Sequence, residues 1–268
     1  MNALLRGLLL ASLVPGSLWL AAGCVQVPQP GSAPEAKRAT DPAELERLAR
    51  LRLELASGYF SRGQPATALD EVKLALNAKP DMVEAWNLRA LIYASNGEAR
   101  QAEESFQRAL QFRPNDPDSL HNYGWFLCQQ GRAPEADQQF ERALAQPQYV
   151  NQVRTLLAQG VCQARAGHLP EAERTLLRSY ELDPANPATA YNLSDVLYRR
   201  GDYERARFYI GRVNLQPELS NAQTLWLAAR IENRMGNAGG SRAFGTQLSD
   251  RFPQSPEALQ YERRRFDD

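Results

Sequence analysis

Residues 86–114 read WNLRALIYASNGEARQAEESFQRALQFRP, and this stretch decides the fold because its marked positions return on both sides at one spacing. Going upstream by that spacing, Ala90, Tyr93, Ala102, Phe106, Ala109 and Pro114 land on Ala56, Tyr59, Ala68, Val72, Ala75 and Pro80. Going downstream, the first five land on Gly124, Leu127, Ala136, Phe140 and Ala143. Small, aromatic, small, bulky and proline positions held in one register describe a repeated structural unit. A period of about 34 residues belongs to pairs of helices, since one pair cannot bury its apolar face alone and is completed by stacking on the next.

The pattern resembles the tetratricopeptide repeat, W-x2-L-G-x2-Y followed by A, F, A and P. Trp86, Ala90, Tyr93, Ala102, Phe106, Ala109 and Pro114 occupy those places, with Arg89 where leucine is usual. The small residues let the two helices of a pair approach, and the bulky ones fill the gap between pairs. The expected fold is all-α, a right-handed superhelical solenoid of about six repeats at residues 49–82, 83–116, 117–152, 153–186, 187–220 and 221–254. Between the third and fourth repeats the register slips by two residues, within 146–151; Gly160, Gly167, Ala172, Leu176 and Pro184 then resume it. The sixth repeat is degenerate, and its run Gly236-Asn237-Ala238-Gly239-Gly240-Ser241 reads as a loosened turn. Asp41-Pro42, Asp116-Pro117 and Asn186-Pro187 supply capping oxygens followed by proline at the first helical position. Ser255-Pro256-Glu257 starts a capping helix over 255–268 that runs into Arg263-Arg264-Arg265, cations suited to a helix C-terminus.

Residues 1–23 place Arg6 before an apolar run and end in Leu20-Ala21-Ala22-Gly23 ahead of Cys24, the layout of an export signal. Pro15 and Gly16 interrupt the run, which is shorter than the roughly 20 apolar residues of a spanning helix. The ending resembles a bacterial lipoprotein box, which implies diacylglycerol on the Cys24 thiol, and Val25 in the next position implies transfer to the outer membrane, facing the periplasm. Residues 24–40, rich in Pro, Ala, Ser and Gly, read as a flexible tether.

Composition excludes several functions. Lys plus Arg and Asp plus Glu both count 31, so no broad positive field draws the chain to nucleic acid. With two histidines and three cysteines, few residues remain for metal or nucleophilic chemistry. His121 and Cys128 stand two helical turns apart, about 10 Å, too far for a thiolate and its base. His168 sits in a glycine-proline turn and reads as a solvated imidazole. No enzyme, cofactor, metal or small-molecule substrate is expected. Cys128 and Cys162 lie close to one period apart on the first helices of adjacent repeats, a placement compatible with a bridge and with two buried thiols.

In such stacks the first helices line the inner surface. The positions expected there are Leu53, Ser57, Phe60, Asn87, Leu91, His121, Trp125, Leu157, Val161, Tyr191, Asp195, Tyr198, Trp226 and Arg230, an apolar and aromatic wall suited to an amphipathic or extended protein segment. A clamp for a terminal carboxylate needs Lys, Asn and Arg at set inner positions, where Leu53, Ser57 and Leu88 stand instead.

The stretches HNYGWFLCQQGR, FERALAQPQYV and GVCQARAGHLPEAERTLLRSYELDP resemble the type IV pilus biogenesis and stability lipoproteins, the PilF/PilW pilotin family. The resemblance spans the lipoprotein box, the tether, the six repeats and the irregularity at 147–149. It implies a lipid-anchored outer-membrane protein whose partner is the pilus secretin, which it helps to reach that membrane and multimerise. It also implies a Cys128–Cys162 bridge, since paired cysteines recur so in some relatives. A periplasmic scaffold for another envelope or secretion complex is the alternative.

Overall fold

The computed structural model describes residues 41–266. The export signal at 1–23, the tether at 24–40 and the lipidation site Cys24 lie outside the described residues. Within them the chain forms thirteen α-helices: α1 (Pro42–Ser61), α2 (Pro65–Ala78), α3 (Val83–Ser95), α4 (Ala99–Phe112), α5 (Pro117–Gln129), α6 (Ala133–Leu144), α7 (Gln152–Arg165), α8 (Leu169–Leu182), α9 (Pro187–Arg199), α10 (Tyr203–Asn214), α11 (Ala222–Arg234), α12 (Ala238–Arg251) and α13 (Pro256–Glu262).

The local reasons for these boundaries are legible. Asp41 accepts a hydrogen bond from the Ala43 amide, Asp116 from Ser119, and Asn186 from Ala188 and Thr189, each satisfying a free amide at a helix start. The first helix of every pair gives way, after a single capping residue, to a glycine in the left-handed region. Gly63, Gly97, Gly131, Gly167, Gly201 and Gly236 take φ between 72° and 81°, where a side chain is disfavoured. Successive glycines stand one period apart, except that the interval is two positions wider between Gly131 and Gly167 and one wider between Gly201 and Gly236. The turns thus record both the period and the slip.

Packing follows the same rhythm. Ala56, Ala90, Gly124, Gly160, Ser194 and Ala229 on the first helices are all buried, facing Ala68, Ala102, Ala136, Ala172, Ala206 and Ser241 on the second. Four residues further on, Val72, Phe106, Phe140, Leu176 and Ile210 are also buried and fill the space between pairs. In the sixth pair this place falls to Gly245, and Tyr261 of α13 fills it: a Cβ on Gly245 would lie 1.9 Å from Tyr261 Cζ. The cap therefore completes the core of the degenerate repeat from outside it.

The first helices of successive pairs touch one another from α1 through α11, whereas second helices touch only first helices and, at the end of the stack, the cap α13. The stack is therefore closed on the side of the first helices and open on the other, which makes the first helices its inner wall.

Two expectations are corrected. Of the run 236–241, only Gly236 and Asn237 lie in the last turn; Gly239 and Gly240 belong to α12, whose start is capped by Asn237 accepting from the Gly240 amide. A Cβ on Gly240 would lie 2.6 Å from Asn237 Nδ2 and 2.8 Å from the buried Glu232 carboxylate, so a larger residue there would displace that hydrogen-bonded pair. The capping helix ends at Glu262, not at 268, because Arg264 turns into the left-handed region at φ 55°. Arg89, in the leucine position of the motif, places its guanidinium 5.2 Å from the ring centres of both Trp86 and Tyr93, so it packs where leucine would.

Candidate protein-binding surface

The inner wall divides into two parts. Toward the first repeats, Leu53 and Phe60 are half-buried against the cluster of Ala56, Val72 and Ile92, and Ser57 beside them is exposed. Leu91 and Trp125 are half-buried against the next cluster, around Phe106 and Phe140. Polar groups run alongside this apolar stripe. Asn122 Nδ2 donates to Asn87 Oδ1 at 3.3 Å, and Arg154 Nη2 donates to Asn122 Oδ1 at 3.1 Å, linking three successive first helices. Arg165 stacks over Trp125 at 5.3 Å. Leu157, Val161 and Tyr191 continue the wall, half-buried. Asp195 is half-buried as well, and burial raises its carboxyl pKa against the opposing influence of Arg199 and Arg230.

Three residues expected on this surface are not available there. His121 is buried, its Nδ1 2.8 Å from Thr155 Oγ1, which in turn lies 2.7 Å from the Tyr149 hydroxyl. The two-residue insertion places Tyr149 in the core beside Leu120 and Ala143, and the polar string satisfies groups that would otherwise be stranded. Burial, with Arg154 nearby, lowers the His121 pKa to about 4, so the imidazole is neutral at pH 7. Tyr198 and Trp226 are buried for a different reason. Phe266 packs on the Trp226 ring at 5.3 Å, and its carbonyl oxygen accepts from the Tyr198 hydroxyl at 3.4 Å and from Arg230 Nε at 3.2 Å.

Cys128 on α5 and Cys162 on α7 form a disulfide with Cα atoms 5.7 Å apart. This cross-link joins the first helices of the third and fourth pairs across the slip. Nearby, Arg132 donates to both oxygens of Glu103 at 2.9 Å, and Glu103 also accepts from the Tyr123 hydroxyl at 2.8 Å. Burial and that carboxylate push the Tyr123 pKa up to about 12.

Spacing did not single out Asn122, Arg154 or Arg165, because the three stand at different positions of the repeat and neither Asn122 nor Arg154 recurs at its own position in a neighbouring pair. Phe266 has no counterpart in any repeat, so no periodic signal points to it.

An inner wall of stacked helix pairs, with an apolar stripe flanked by amides and guanidinium groups, defines a tetratricopeptide repeat protein built to hold other proteins. Tetratricopeptide repeat models match residues 81–148, 124–187 and 157–213. Among solved structures, the chain is similar to PilW, described as a widely conserved type IV pilus biogenesis factor. The identity is 30%, covering 80% of this chain and 98% of that one, with a TM-score of 0.75. It is similar also to PilF of Pseudomonas aeruginosa at 25% identity, covering 82% and 99%, with a TM-score of 0.72. YrrB, a repeat protein described as having an unusual peptide-binding site, shares the fold at 20% identity and a TM-score of 0.52, over 65% of this chain and 88% of its own. No curated protein sequence matches the chain. The chain belongs to the PilW/PilF family of tetratricopeptide repeat proteins of type IV pilus biogenesis.

Proposed function

We propose that the protein is a pilotin: a lipoprotein anchored through acyl chains on Cys24 to the outer membrane, which captures a segment of the pilus secretin on its inner wall and promotes its localisation and multimerisation there. The observation that carries this reading is the half-buried stripe of Leu53, Phe60, Leu91 and Trp125 on the first three pairs, which presents apolar side chains beside the Asn87 and Asn122 amides. Such a surface suits an amphipathic segment, whose apolar side chains supply most of the affinity. Fatty acids supply the address, since each buried methylene adds about 0.8 kcal/mol of membrane affinity. The scaffold contributes selectivity and no catalysis.

The test separates the two parts. Cys24→Ala is expected to leave secretin mislocalised while the purified chain still binds it; normal ring assembly at the outer membrane in that variant would sink the anchoring role. Leu91→Asn is expected to weaken secretin binding about tenfold or more, in line with the loss of a central apolar anchor. Unchanged affinity, measured by calorimetry, would remove the stripe from the site.

A further inference from the structure

The inner wall of the last two pairs is already occupied, and by the chain itself. After α13 the backbone turns at Arg264, the one residue other than glycine with positive φ among the described residues, and this turn carries Phe266 back onto α9 and α11. Its ring lies against Trp226 at 5.3 Å and edge-on to Tyr261 at 6.1 Å. Arg230 stacks over Tyr198 at 4.6 Å while its Nε donates to the Phe266 carbonyl, so one guanidinium braces both the aromatic wall and the incoming backbone. Arg234 Nε lies 3.4 Å from the Tyr198 hydroxyl, adding a second cation at the same place.

This contact is more than helix capping needs. Tyr261 already fills the notch at Gly245 and closes the core of the sixth pair. Phe266 adds a different set of interactions: an aromatic side chain seated on an indole, with its main-chain carbonyl received by two side-chain donors. An extended segment bound on a repeat scaffold uses the same elements, apolar anchorage for the side chain and side-chain hydrogen bonds for the backbone. The left-handed Arg264 disfavours that path unless the docked residues compensate.

We propose that Tyr198, Trp226 and Arg230 form a second peptide-binding site, selective for an extended segment with an exposed aromatic side chain, and that residues 263–266 hold this site closed as an intramolecular ligand. A partner segment of this chemistry enters by displacing Phe266. Because the internal ligand competes at a millimolar effective concentration, a free segment sees a weakened site until the tail is displaced or removed. The inference does not depend on which protein the stripe of the first three pairs holds.

The probe is a fluorescein-labelled peptide of the chain's own residues 263–268, RRRFDD. Polarisation is expected to show at least tenfold tighter binding to the full-length Phe266→Ala chain than to the unaltered chain. Binding should disappear when the peptide phenylalanine is alanine, or when Arg230→Ala is added to the protein. Equal binding to both chains, or none to a Phe266→Ala chain that keeps its helix content, overturns the proposal. If that variant does not fold, a benzophenone in place of the peptide phenylalanine, added in excess to the unaltered chain, should cross-link within α9 and α11. Cross-links scattered over other helices, or absent altogether, count against it. A dimer in solution that Phe266→Ala dissolves also overturns it, since the occupant would then be the tail of a second copy.

Discussion

At Gly160 an added Cβ would lie 2.5 Å from Leu176 Cγ, and at Gly124 it would lie 2.9 Å from Phe140 Cε1. Leu176 is fully buried and has no room to retreat, so Gly160→Ala is expected to cost about 1–3 kcal/mol through forced repacking. Gly124→Ala is expected to cost less, since the second pair accommodates Ala90 beside Phe106 in the corresponding place. Thermal denaturation of the two variants checks the order, and an equal loss would show that the contact distances do not govern it. His121 supplies a pH dependence of known sign. Its pKa falls from 6.5 to about 4 on folding, so the unfolded chain takes up a proton first as the solution is acidified. The contribution is intact above pH 6.5 and is lost as the pH falls toward 4, the loss amounting to about 2 kcal/mol at pH 5. The stability difference between the unaltered chain and His121→Gln should therefore shift by that amount between pH 7.5 and 5; a difference that stays flat would mean the ring is not buried in neutral form.

Among elements, the junction of the third and fourth pairs carries the most reinforcement, and it is where the repeat is interrupted. Two extra residues would loosen ordinary stacking. Here they bury Tyr149, which completes the string through Thr155 to His121, while the Cys128–Cys162 bond ties α5 to α7. For a cross-link closing a loop of 34 residues, chain entropy gives a stabilisation of about 3–4 kcal/mol. Reduction is expected to lower the denaturation midpoint accordingly, and Cys128→Ala/Cys162→Ala should behave like the reduced chain. A midpoint indifferent to reductant would show that the packing alone holds the junction. At the other end, α13 is an element whose role is set by its partner: seven residues that would be marginal alone are held because Gly245 leaves a socket for Tyr261.

For the described solenoid taken whole, stability is a sum over neighbours, because each pair contacts only the pairs beside it. Hydrogen exchange should therefore be slowest in α5 through α8, where both neighbours are present and the disulfide adds a constraint, and fastest in α1, which exposes Leu48, Leu51 and Leu55. Uniform protection from α1 to α12 would mean that the array unfolds as one unit. The number of helix pairs, their register, their turns and most helix starts were legible from the sequence, because close packing of repeated pairs demands small residues, glycine turns and capping oxygens at fixed intervals. The inner stripe of Leu53, Phe60, Leu91 and Trp125 was legible for the same reason: a constant period places a side chain on a known face of its helix. Whether that face is open is a different matter. Only the tertiary structure decided that Tyr149 and Thr155 enclose His121, that Tyr261 replaces a missing core residue at Gly245, and that Phe266 covers Trp226 and Tyr198. Those covers come from segments outside the period, and a periodic pattern carries no information about what a non-periodic segment will fold against.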